Sequence, residues 1–270
     1  MIKKILLTLF LSVIFCAQTI AKDDIKYDYD QENKFHIYKI DLDTYGKKLK
    51  PFVSKEGLKT TGDVFKENDF LFALNGGFFD FNNKNSVSYI VENGVVTNTP
   101  FEDTNLILAL GKQNRLEGVL NRAEFRIIEE EKSGKLSFDI NNHFVPVQKG
   151  YKIKHSLQGG PLMGEDLNLE NEGFLVYDEN GLPKEQYADV LKKRPRTIIA
   201  LKDDYLYVIL YTTFAPATIS EANHQLKKYK FDKIMALDGG GSTSLNYKDK
   251  EISSANGKQR EVKSFLVIEK

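Results

Sequence analysis

The sequence predicts an α+β fold: one domain with a mixed, mainly antiparallel β-sheet and a few helices packed on it. Three observations support this. Short runs rich in Ile, Val, Phe and Tyr recur along the chain, turn residues separate many of them, and helical signal is scarce. The strand-like runs are residues 35–42, 70–74, 87–92, 105–110, 124–130, 173–177, 197–201, 205–211, 233–237 and 264–268. Turn pairs include Asn93-Gly94, Asp203-Asp204 and Asn256-Gly257, and Asp203-Asp204 between two apolar runs predicts a hairpin. The clearest helix begins at Thr218, whose hydroxyl can cap it while Glu221 reaches back. Ile219, Ala222, Leu226 and Tyr229 then form one apolar stripe. A shorter helix is predicted over 61–68. No internal repeat, low-complexity tract or linker interrupts the chain.

The chain has 270 residues with 38 basic and 38 acidic side chains, so no net charge draws it to nucleic acid or an anionic membrane. A hydrophobic share of 41% is enough to build a core without disulfides or a structural metal. At the N-terminus, Lys3 and Lys4 precede an apolar run over 5–16, and Ala21 follows shortly before Lys22-Asp23-Asp24. The pattern reads as a secretory signal peptide over 1–21, because the run is shorter than the roughly 20 residues needed to span a bilayer. The expected working product is residues 22–270, exported to a periplasm or to the medium, with no membrane span. Removing the signal would take away Cys16, the only cysteine, and with it thiol chemistry.

Spacing excludes several familiar sites. Ser244 stands where a nucleophile elbow needs Gly, no phosphate-binding loop of the Gly-x-x-x-x-Gly-Lys type occurs, and the four His form no ligand pair. Three glycine clusters remain. They are Asn75-Gly76-Gly77-Phe78-Phe79-Asp80, Gln158-Gly159-Gly160-Pro161, and Asp238-Gly239-Gly240-Gly241-Ser242-Thr243. Each has a polar residue just before its glycines, where the main chain can approach a ligand closely. Asn75, Gln158 and Asp238 would then point from strand ends into one cleft. Arg194-Pro195-Arg196-Thr197 adds one or two cations suited to gripping phosphate.

These clusters, in this order, resemble the phosphodiester glycosidase family, whose members include an enzyme removing N-acetylglucosamine from its phosphodiester link to mannose. The similarity spans roughly residues 60–270. The tail Arg260-Glu261-Val262-Lys263-Ser264 departs from the family pattern, in which a Pro often follows the Arg. The resemblance implies cleavage of the glycosidic C–O bond of a sugar 1-phosphodiester, in a cell-surface or secreted glycan. Phosphate is a good leaving group, so the site must supply charge stabilisation, a carboxylate near the developing oxocarbenium ion and an oriented water or nucleophile.

On this reading Asp238 is the base or nucleophile, Asp80 its partner, and Arg196 the phosphate clamp. The main chain of Gly239, Gly240 and Gly241 and the Ser242 and Thr243 hydroxyls assist. Asn75, Gly76, Gly77, Gln158, Gly159, Gly160 and Arg194 complete the substrate site, with Asn75 and Gln158 contacting sugar hydroxyl or acetamido groups. Phe78 and Phe79 offer an apolar wall or join the core. No cofactor is predicted; the oxygen-rich loop 80–85 admits a divalent cation such as calcium, although Lys84 sits at a ligand position. A non-catalytic module recognising a phosphorylated glycan is the alternative, and a P–O-cleaving phosphodiesterase is a third.

Overall fold

A computed structural model describes residues 25–113, 115–254 and 257–270, so the signal-peptide segment lies outside the described residues. The chain runs β1 (Ile25–Asp30), β2 (Phe35–Asp41), α1 (Leu42–Tyr45), β3 (Leu49–Val53), α2 (Thr61–Glu67), β4 (Phe70–Asn75), β5 (Ile90–Glu92) and β6 (Val95–Asn98). It continues through α3 (Thr104–Lys112), α4 (Leu116–Leu120), β7 (Ala123–Glu130), β8 (Leu136–Asn142), β9 (Tyr151–Gln158), β10 (Leu175–Tyr177) and β11 (Pro183–Gln186). The last third holds β12 (Arg196–Lys202), β13 (Tyr205–Tyr211), α5 (Ile219–Leu226), β14 (Lys233–Ala236), β15 (Ser244–Tyr247), β16 (Lys250–Ser253) and β17 (Ser264–Glu269).

The strands form three five-stranded sheets, ordered β1-β2-β13-β12-β14, β16-β15-β4-β17-β3 and β6-β5-β9-β7-β8, and a β10-β11 ribbon. The pairings are antiparallel, so the expected α+β class holds. All three sheets feed one apolar core that includes Ile40, Leu206 and Val208 from the first, Phe72, Leu74 and Leu266 from the second, and Phe125, Ile140 and Leu157 from the third. Opposite faces of the first sheet are both covered. Ile199 and Leu201 enter that shared core, while Ile198 and Ala200 pack beneath Ile219, Ala222 and Leu226 of α5. This two-sided burial explains why β12 and β13 read as unbroken apolar runs rather than alternating ones. The Asp203-Asp204 hairpin joins them, with Asp203 at φ 52°.

The predicted cap of α5 is present: Thr218 Oγ1 accepts from Glu221 N at 3.0 Å, and Glu221 Oε2 accepts from Thr218 N at 2.9 Å. Thr218→Ala should cost about 1 kcal/mol of stability in urea unfolding, the usual loss for a capping hydroxyl. Helix α2 also forms where expected, with its own capping box at Thr60 and Asp63. Residues 105–110 correct the prediction: they belong to α3, not to a strand. Asp103 caps that helix by accepting from Leu106 N at 2.9 Å, and a short apolar run does not by itself distinguish strand from helix. Strands such as β1, β8 and β9 escaped prediction because polar residues alternate with their apolar ones, as in Lys26-Tyr27-Asp28-Tyr29-Asp30, so no continuous apolar run marks them.

Candidate active site

The three glycine clusters converge where the three sheets meet. Asn75, at the end of β4, donates through Nδ2 to the Asp238 carbonyl at 2.7 Å, and Asp238 N donates to Gly76 O at 3.1 Å. Gly160 N donates to Ala236 O at 2.9 Å, tying the second cluster to the third, and Leu237 N reaches Thr197 O at 2.8 Å at the start of β12. The glycines permit this approach. A Cβ on Gly77 would overlap the Gln158 carbonyl and the Ser88 hydroxyl, so two backbones lie against each other with no room for a side chain. Gly77→Ala should therefore lower stability by about 1–3 kcal/mol, the overpacking range, and thermal unfolding would register the loss.

Asp238 occupies the floor of this junction. It is half-buried, and burial is still the strongest influence on its carboxyl, whose pKa is pushed up to about 6. The Ser242 hydroxyl and the Gly239 N–H stand beside the carboxylate and oppose that rise, as do the charges of Arg260 and Arg122. Arg260 is exposed, and its guanidinium lies against Gly241, where a Cβ would collide with it. Arg122 is buried, with its guanidinium 4.0 Å from the Phe174 ring centroid and 5.0 Å from that of Phe78. Its Nε donates to Glu172 O at 3.1 Å. The Glu172 carboxylate accepts from Ala123 N at 2.7 Å and Leu162 N at 2.6 Å, and burial raises its pKa.

The residues expected from sequence divide into a floor and its foundations. Asn75 is fully buried, and its Oδ1 accepts from Thr197 Oγ1 at 2.8 Å and Ser244 N at 3.1 Å. Gln158 is equally enclosed; its Nε2 donates to Leu120 O at 2.8 Å and its Oε1 accepts from Tyr89 N at 3.1 Å. Both amides are thus committed to the protein, which corrects their reading as sugar contacts. Arg196 is corrected likewise. It gives its guanidinium to the carbonyls of Ala217 (2.9 Å), Ala188 (3.3 Å), Asp189 (2.7 Å) and Lys192 (2.6 Å), so it braces the loop before β12 and has little left for a phosphate. Burial lowers the pKa of Arg122 to about 9 and of Arg196 to about 10, still high enough to keep both charged at neutral pH.

Arg194 lies at the surface in an ion pair with Asp189 at 2.8 Å. Asp80 turns into its own loop, accepting from Asn82 N at 2.6 Å, and no hydrogen bond or ion pair joins it to Asp238 among the described residues. Of the main-chain donors, Gly76 N goes to Ser264 O, Gly159 N to Ala123 O and Gly240 N to Pro195 O, while Gly239 N stands beside the carboxylate. Thr243 Oγ1 lies 3.2 Å from Thr197 Oγ1 in the buried layer under the floor. Phe79 is core, while Phe78 is half-buried against Phe174. Among the described residues no group of three His, Cys, Asp or Glu is placed to hold a metal ion.

Three site residues lay outside the sequence prediction: Arg122, Glu172 and Arg260. Each is a single charged residue beside an apolar run or in the C-terminal tail, with no glycine cluster to mark it. The one available signal was the departure of the tail after Arg260.

A carboxylate raised by burial and set in the field of two arginines, on a floor of close-packed glycine turns, marks the candidate active site. The family model of the phosphodiester glycosidases matches residues 68–269, and the chain belongs to that family. No curated protein matches it in sequence. Among solved structures, it is similar to the catalytic domain of zebrafish N-acetylglucosamine-1-phosphodiester alpha-N-acetylglucosaminidase, auto-inhibited by its pro-peptide. That match has a TM-score of 0.61 at 16% identity and covers 91% of this chain and 81% of that one. A hypothetical protein from Synechocystis matches with a TM-score of 0.60 at 12% identity; 90% of this chain is covered, and it spans 61% of that protein. At these identities the likeness is one of fold. No helix among the described residues is long and apolar enough to cross a membrane.

Proposed function

We propose that this chain is a hydrolase that cleaves the glycosidic C–O bond of a sugar 1-phosphodiester in an exported or cell-surface glycan. The observation that carries the reading is Asp238, set at the junction of the glycine clusters under the fields of Arg122 and Arg260. A pKa of about 6 leaves the carboxylate mostly ionised at neutral pH and close enough to neutrality to exchange a proton. Asp238 then faces the anomeric carbon as base or nucleophile, and the arginines balance the charge gathering on the departing phosphate monoester. In the overall reaction the C1–O bond breaks, water supplies the new hydroxyl at C1, and its remaining proton passes through Asp238 to solvent. Glu172 holds Arg122 in place by fixing the backbones on either side of it. The charged-then-apolar N-terminus supports export.

Hydrolysis of a panel of sugar 1-phosphodiesters in isotope-labelled water tests the reading. Label is expected in the sugar; label in the phosphate would mean P–O cleavage and overturn it. No turnover, together with calorimetric binding of a phosphorylated glycan, would make the protein a recognition module.

A further inference from the structure

Beside the cleft, four aromatic rings gather on the outer face of the β6-β5-β9-β7-β8 sheet. Tyr89 and His143 stack with ring centroids 4.1 Å apart and planes at 7°; Phe101 stands 6.4 Å from Tyr89, and Phe144 5.8 Å from His143. Phe101 is 53% exposed and Phe144 52%, so these rings face water beyond what chance exposure of a single side chain would give.

Burial beneath them is costly and specific. His143 Nδ1 meets Glu124 Oε2 at 2.9 Å, and Glu124 Oε1 accepts from Arg126 Nε at 2.6 Å. Glu124 and Arg126 are almost wholly enclosed. A buried pair of this kind adds little stability by itself because desolvation offsets the attraction. Here its remaining donors go to one segment: Arg126 donates to the carbonyls of Asn142 (2.7 Å), His143 (3.0 Å) and Val145 (2.8 Å). The ion pair therefore rigidifies the turn that carries His143 and Phe144. Because the carboxylate can only accept, Nδ1 carries a proton, and Nε2 is the ring nitrogen not engaged by Glu124.

The patch is tied through Arg122 to the Asp238 site. His143 N donates to Arg122 O at 3.2 Å, and the Gln158 side chain bonds both Arg122 O at 3.3 Å and Tyr89 N at 3.1 Å. We propose that Tyr89, Phe101, His143 and Phe144 form a carbohydrate subsite, which takes a pyranose ring of an extended glycan adjoining the residue held over Asp238. A pyranose fits the chemistry, since its C–H face can lie on the aromatic surface while its hydroxyls, able to donate or accept, meet the Nε2 of His143. This rests on the reading of the cleft as a glycan site.

The test uses ligand-observed NMR with the neutral trisaccharides of N-acetylglucosamine, glucose and mannose, which carry no phosphate. At least one should bind the wild type, and its affinity should fall about tenfold in Phe144→Ala and in Tyr89→Leu, the upper range for a lost aromatic contact. Phe144 is exposed enough that its variant should fold whatever happens to Tyr89→Leu. Absence of binding by all three sugars, or binding untouched by Phe144→Ala, overturns the subsite. So does self-association in sedimentation that Phe144→Ala abolishes, which would assign the patch to a second copy of the chain. Wild-type hydrolysis of a single-sugar 1-phosphodiester is measured alongside. If hydrolysis is absent while the trisaccharide result holds, the cleavage reading falls and the subsite stands; if hydrolysis is present without sugar binding, the subsite alone falls.

Discussion

Asp238→Asn is expected to lower turnover of a sugar 1-phosphodiester at least about 100-fold, the low end of what a general base contributes, and in the same protein to raise the melting temperature at pH 7.5. The two effects share a cause. Folding lifts the carboxyl from 3.8 to about 6, so the native state binds its proton more tightly than the unfolded chain does. That contribution to stability is complete below pH 3.8 and disappears as pH rises through 6, where the folded protein must hold a poorly solvated charge. The displacement is worth at most about 3 kcal/mol, and solvent reaching the carboxylate reduces it. Asparagine keeps the shape and carries no charge, so the variant's advantage should grow between pH 5 and 7.5 in thermal melts. The same titration sets the activity profile: kcat/KM should fall about tenfold per pH unit below 6 and level off above it. A variant with wild-type turnover, or a wild-type profile flat from pH 4 to 8, would remove Asp238 from the chemistry.

The second large effect separates two arginines. Arg122→Lys should lower kcat/KM by about 100-fold, the scale of losing one preorganised donor, because a lysine ammonium cannot both donate to Glu172 O and lie flat against Phe78 and Phe174. Arg196→Lys should act mainly on stability. It strips hydrogen bonds from up to four carbonyls around the loop before β12, which would show as a lower urea midpoint with the kcat of the folded fraction retained. The reverse pattern would return the phosphate role to Arg196.

The contrast between these arginines shows what the sequence could convey. Glycine clusters are local words: Asn75-Gly76-Gly77, Gln158-Gly159-Gly160 and Asp238-Gly239-Gly240-Gly241 marked where backbones crowd together, and the structure brings all three to one junction. Which neighbouring side chain faces the opening is not local. Asn75 and Gln158 turn inward because buried carbonyls need their amides, whereas Arg122, two residues before the predicted strand 124–130, turns toward Asp238 because Glu172 and two aromatic rings hold it there. The fold class was legible from β-branched and aromatic runs with turn pairs between them. Helix α3 was not, since its apolar residues satisfy both periods and the Asp103 cap that decides between them lies just outside the run.

The hydrogen bond from Asn75 to the Asp238 carbonyl spans 163 positions of sequence, and the one Asn75 Oδ1 accepts from Ser244 N spans 169. No contiguous fragment much shorter than this stretch can own the cleft floor. A chain still emerging from synthesis, or clipped between these points and separated, has no working surface. Formation of such distant contacts is also the slow part of folding, because the intervening chain must be closed into a loop before the contact rewards it. Catalysis should therefore appear late and all at once in refolding, after the β12-β13 hairpin has formed, which makes turnover itself a clock for the last long-range step.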